Sequence, residues 1–183
     1  AATGSPMTNA AEVPVPEGYC EQDYLKMYAF LEIADADGVK NGTKLNKNYD
    51  PMDPTTWGTT NENYDPEDPM TWGAGQNITW DEVTTGEGED EVTVRYLWIF
   101  NAPASDLCGP LDLSGCKFLQ EVYVQNNALT QVNVSDSAIW ELDCSGNRLT
   151  ELNVSGCGYL MNLVCGNNQL TALELADCRR LAT

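Results

Sequence analysis

The sequence predicts a mostly β protein with some helix: a solenoid of short parallel strands whose first rung is covered by a separate N-terminal segment. Three observations carry this. The phrases NNALTQVNVSDS, GNRLTELNVSGC and NNQLTALELADC recur with their asparagines Asn127, Asn147 and Asn168 spaced 20 and 21 residues apart, a period at which each unit buries its apolar face only against its neighbours. Inside each unit apolar and polar residues alternate, which is the period of a strand and not of a helix. Five of the seven cysteines also keep register, Cys144 with Cys165 and Cys116 with Cys157 and Cys178, as small apolar groups stacked in a core do.

Taken in order, residues 1–18 read as a flexible, proline-punctuated leader and residues 19–93 as a cap. Within the cap, YCEQDYLKMYAFLEI (19–33) predicts a helix, because Tyr24, Met27, Tyr28 and Leu31 fall at helical spacing and Asp23 suits its start. An insertion follows that is itself duplicated: Asn48–Gly58 (NYDPMDPTTWG) returns fifteen residues later as Asn63–Gly73 (NYDPEDPMTWG). Two readings of it stand. Asp-Pro steps make rigid turns, which Trp57 and Trp72 would pin to the cap. Alternatively Asp50, Asp53, Asp65 and Asp68 supply the clustered oxygens that calcium takes. Asp35-Ala36-Asp37-Gly38 has part of a calcium-loop pattern but lacks the third acid and the closing glutamate.

The units begin at Leu119, Ile139 and Leu160, with Leu181 opening another, and an irregular unit precedes them from Val94. Alternation sets the expected inward pairs as Leu97/Ile99, Val122/Val124, Leu142/Cys144 and Leu163/Cys165, stacked with Leu129, Leu149 and Leu170. The second half of each unit turns Val132/Val134, Leu152/Val154 and Leu173/Leu175 inward, predicting further extended segments on the other side. Each recurring asparagine is expected to end a strand and pair turn backbone that would otherwise be buried without a partner, with Ala102 as its counterpart in the first unit.

These units resemble the leucine-rich repeat, L-x-x-L-x-L-x-x-N-x-L, in a form similar to the L-T-x-L-(D/N)-V-S-x-C repeats of bacterial secreted and cell-surface proteins. The resemblance covers residues 94–183, about four units. The order D-Y-L, W, I-T-W-D-E-V and E-V-T-V-R-Y-L-W-I is similar to the N-terminal caps of plant-type leucine-rich repeat proteins, which implies a helix, a Trp-bearing loop and a β-hairpin over the open end. Because the chain stops at Leu181-Ala182-Thr183, inside a new unit, the expectation is an excerpt of a longer array or a homo-oligomer formed through the uncapped end.

Composition narrows the function. The net charge of −19 comes from 28 acidic and 9 basic residues, and −15 of it falls in residues 1–92. Nucleic acid and anionic membranes bind mainly through Lys and Arg, so neither is an expected partner. Histidine is absent, which removes the usual general base and most nucleophile pairs; the chain is read as not an enzyme. Abundant carboxylates such as Asp50 and Asp65 are the only hint of acid–base chemistry. Cys20 and Cys108 lie outside the two cysteine columns, and a bond between them is left open. No apolar run is long enough for a membrane helix.

The resemblance places outward strand residues on one concave face. Its central column would be Trp98, Tyr123, Asp143 and Val164. Aromatic residues are enriched where proteins bind partners, so the candidate ligand-binding residues are Tyr96, Trp98, Phe100, Tyr123, Trp140 and Asp143. For Trp98 and Phe100 an equal alternative is that the cap insertion covers them as core. The expected function is a secreted or surface binding module that holds a protein or glycan ligand on this face. The alternative is a structural or adhesin segment of a longer bacterial surface protein, stabilised by calcium. No other cofactor is implied.

Overall fold

The computed structural model describes residues 13–59 and 77–182. Asp65, Asp68 and the second copy of the duplicated turn lie outside them. The described chain runs α1 (Glu21–Leu31), α2 (Asn41–Leu45), β1 (Ile78–Thr85), β2 (Val92–Asn101), β3 (Cys108–Asp112), β4 (Glu121–Tyr123), β5 (Ala128–Asn133), β6 (Glu141–Asp143), β7 (Glu151–Asn153) and β8 (Asn162–Val164). The strands form two sheets, β1-β2-β4-β6-β8 and β3-β5-β7. All neighbours are parallel except the antiparallel pair β1–β2. The result is a parallel β-solenoid of about three turns, with one sheet on each side of a single core.

Three inward columns run through the first sheet. Leu97, Leu119, Ile139 and Leu160 form one; Phe100, Val122 and Leu142 form the second; Ala102, Val124 and Cys144 the third, all at 0% exposure. Leu163 and Cys165 continue the last two columns at the far end, partly buried. Across the core, Leu111, Val132 and Val134 are buried from the second sheet. The recurrent units therefore stack as their alternation requires.

The first unit departs from expectation. It starts at Leu97 rather than Val94, and its inward pair is Phe100 and Ala102, not Leu97 and Ile99. The cause is a bulge: β1 pairs Thr79 with Ile99 but Trp80 with Leu97, so Trp98 is an extra residue and the inside–outside alternation shifts by one. Ile99 then lies level with Glu121 and Phe100 with Val122. By the same register the counterpart of Asn127 is Ser105, not Ala102.

The asparagine column binds the rungs together. Asn147 Oδ1 accepts the Leu129 N–H at 3.0 Å, and its Nδ2 donates to the Val124 and Cys144 carbonyls at 2.9 and 3.0 Å. Asn168 repeats this with Leu149, Cys144 and Cys165, and Asn127 with Leu107, Ala102 and Val124. A second column comes from short Asx turns, in which Asp112, Asn133 and Asn153 each accept the N–H and hydroxyl of the serine two residues on. Ser137 takes the place of cysteine in the corner column, donating to the Val134 carbonyl at 2.6 Å.

The N-terminal segment closes the first rung. Helix α1 buries Tyr24, Met27, Phe30 and Leu31, at spacings of three and four that make one face. Phe30 meets Phe100 edge to face at 5.8 Å. Each such large apolar side chain contributes roughly 1.5–3 kcal/mol on burial. Asp23 lies inside the helix and does not begin it: the N-cap is Cys20. Its carboxylate instead accepts the Leu97 N–H at 3.0 Å. Asn41, fully buried, caps β3 likewise, accepting the Cys108 N–H and donating to the Cys108 and Phe30 carbonyls. Val13 and Val15, in the segment expected as a leader, pack against the core.

All seven cysteines are free, so the Cys20–Cys108 bond left open by the sequence is not formed. Burial pushes the Cys144 thiol up to about 12, as expected of a side chain that serves as a small apolar group.

Candidate functional site

The outer face of the five-stranded sheet is ordered by the strand register into rows. Ile99, Glu121, Glu141 and Asn162 form one row, and Asn101, Tyr123, Asp143 and Val164 the next. Backbone bonds from Gln120 to Trp98, Trp140 to Gln120 and Met161 to Trp140 set a third row: Trp98, Gln120, Trp140 and Met161. Adjacent strands lie about 4.8 Å apart, so Trp98 and Trp140 flank Gln120 across roughly twice that distance.

The centre of the face is acidic and aromatic. Glu121 and Glu141 are direct neighbours on β4 and β6. The Tyr123 hydroxyl donates to Glu121 Oε2 at 3.0 Å. Burial, and then the Glu141 charge, hold the Glu121 carboxyl above its ordinary range, while the Tyr123 hydrogen bond pulls the other way. Burial and the two glutamates push the Tyr123 phenol up. Like charges side by side in a sheet repel, and among the described residues no Lys or Arg forms an ion pair with Glu121, Glu141 or Asp143; the four salt bridges all lie elsewhere.

The structure brings Trp98, Tyr123, Trp140 and Asp143 together on this face, turns Phe100 away from it and leaves Tyr96 at its margin. Phe100 is fully buried; it is a core residue, placed inward by the bulge. Tyr96 lies beyond the rows, stacked on Phe118 at 4.4 Å with Lys117 5.0 Å above its ring. Trp98 is half-buried, and its Nε1 is sealed off without a partner. Asp143 spends Oδ1 on the N–H and hydroxyl of Ser145, closing the turn after β6. The central column contains Asn101 in place of Trp98. Glu121 and Glu141 are not among the residues singled out from the sequence, because their adjacency depends on the unit lengths matching from one rung to the next. Met161 and Val164, 47% and 50% exposed, extend the face to the β8 edge.

The calcium candidates within the described residues are engaged in turns. Asp50 Oδ1 accepts the Met52 N–H, and Asp53 Oδ1 the Thr55 N–H and hydroxyl. Trp57 is buried and its indole donates to the Asp50 carbonyl, which is the pinned turn. Asp35 accepts the Asp37 and Val39 N–H groups and pairs with Lys44 at 2.8 Å, so an ammonium sits where a cation of the loop would. Among the described residues no three acidic, cysteine or histidine side chains cluster as metal ligands. Among the described residues no helix is long and apolar enough to cross a membrane.

A depression of about 730 Å³ lies elsewhere, between Ile33–Val39 and the second sheet, and includes Lys44, Asp106, Cys108 and Arg148. It is shallow, and Lys44 is committed to Asp35 and the Asp106 carbonyl. The sheet face offers the more distinctive chemistry. Comparison of the chain with family models, characterised proteins and solved structures found no match.

Proposed function

We propose that the chain is a non-catalytic binding module of the leucine-rich repeat type, secreted or held at a cell surface, which recognises a protein or glycan through the outer face of its five-stranded sheet. The observation that carries this reading is the company kept by Tyr123 and Trp140: half-buried aromatic side chains beside Glu121, Glu141 and Asp143, on strands tied rung to rung by the asparagine column. A rigid sheet presents such side chains at little ordering cost, which is where aromatic anchors contribute most to affinity. The repeat pattern L-x-x-L-x-L-x-x-N-x-L supports the family reading.

Trp140→Ala tests the proposal. Wild type and variant are screened against protein and glycan arrays, with circular dichroism to verify the fold. Removing a central aromatic anchor should weaken the bound ligand by at least about tenfold. A ligand held equally well by the variant would place recognition elsewhere. A structural role, in which the chain associates with another copy, is favoured by one feature: Met161 and Val164 on the sheet face, and Leu175 beyond it, are exposed at the β8 side. Concentration-dependent association lost on Val164→Lys would identify it.

A further inference from the structure

We infer that the sheet face takes a basic ligand, a lysine- or arginine-bearing extended segment of a partner protein, with its cations between Trp140, Tyr123 and the Glu121–Glu141 pair. The inference rests on the binding reading above and specifies its ligand.

Charge complementarity points to this ligand. The chain has nine Lys and Arg residues, all within the described part. Lys26, Lys40, Lys44 and Arg95 pair with carboxylates. Arg95 also lies over Tyr19, Lys117 over Tyr96 and Phe118, and Arg180 over Tyr159, each 5.0–5.4 Å from the ring centre. The fold thus supplies cations to aromatic rings at its ends. It supplies none to Trp98, Tyr123 or Trp140, or to the carboxylates among them. A protein that merely needed a soluble surface would not place Glu121 against Glu141, since directly opposed like charges destabilise a sheet. A cation from outside removes that repulsion and meets the indole face as well. Parallel strands about 4.8 Å apart set the residues of each row in line, and an extended segment laid across the strands follows such a row with its alternate side chains on one side. An acidic peptide or a nucleic acid would add to the repulsion. A neutral sugar would stack on Trp140 but leave the glutamates opposed.

The test uses fluorescently labelled Ser-Lys and Ser-Arg repeat peptides, with Ser-Gln and Ser-Glu repeats and neutral oligosaccharides as comparisons, followed by anisotropy across a salt series. Because a chain this acidic attracts any polycation weakly, the control variant is Glu87→Gln/Glu89→Gln, which removes two charges from the exposed β1–β2 turn. The inference expects basic peptides to bind in preference to the others, about tenfold weaker binding in Glu121→Gln/Glu141→Gln and again in Trp140→Ala, and little change in the control. It also expects the double glutamine variant to melt no lower than wild type, since it relieves a repulsion while keeping an acceptor for Tyr123. Equal losses in the double variant and the control would show diffuse attraction and overturn the inference. Trp140-dependent binding of a neutral oligosaccharide, with none of the basic peptides, would overturn it and leave the binding reading standing. If no probe depends on Trp140, both fail.

Discussion

Replacing Asn147 by alanine isolates what the asparagine column contributes. Asn147 is 8% exposed and serves three buried backbone groups. The truncation takes the Asn147 acceptor from the buried Leu129 N–H. The Val124 and Cys144 carbonyls fare better, because each also accepts from a neighbouring asparagine, Asn127 and Asn168 respectively. One orphaned buried donor costs about 1–3 kcal/mol and each of the two lost bonds about 0.5–1.5, so the variant should lose about 2–6 kcal/mol. That is a large part of the 5–15 kcal/mol that holds an ordinary domain together. Asn168→Ala makes the internal comparison: it serves Leu149 and Cys165 at the more exposed last rung, where water replaces part of what is lost, and about half the effect is expected. Urea unfolding followed by tryptophan fluorescence measures both, with the slope checked for constancy. A loss below about 1 kcal/mol for Asn147→Ala, or equal losses at the two sites, would refute the reasoning that buried backbone satisfaction is the asparagine's role.

Three further expectations follow from single contacts. Burial holds the Asp23 carboxyl above its ordinary value of 3.8, against the Leu97 N–H bond that favours the charge; with the folded value raised, the native state binds the extra proton, so this group's contribution is present below 3.8 and is lost as pH rises through the folded value. Asp23→Asn keeps an acceptor for Leu97 and should flatten that decline in a pH series of melting temperatures, whereas an unchanged slope would assign it to other groups. Gly146 has φ +65° and a side chain there would strike Asn126, while Gly158 has open space around it; alanine should destabilise the first by about 1 kcal/mol or more and leave the second within about 0.5. Cys116, Cys144 and Cys157 are buried while Cys20, Cys108 and Cys165 are half-buried, so native-state alkylation read by mass spectrometry should reach the latter three first and the buried ones only on unfolding.

The periodic part of the fold is readable from the residues alone. Leu119, Val122, Val124 and their equivalents point inward because a unit that repeats must repeat its burial, and the recurrence of Asn127, Asn147 and Asn168 at a strand end implies a ladder of backbone partners. The helical spacing of Tyr24, Met27 and Leu31 was legible for the same reason. The first rung and the face depend on how the strands come together. Nothing local marks Trp98 as a bulge; it arises because β2 must pair antiparallel with β1 and parallel with β4 at once, and one inserted residue turns Phe100 in and Ile99 out. Asp23 reads as a helix start until Leu97 is seen to lack a rung before it. The Glu121–Glu141 pair lies twenty residues apart in the chain and becomes a single acidic site only when the register sets one beside the other. Periodicity fixes which way a side chain points, but which side chains become neighbours depends on register, and register is a property of the assembled sheet.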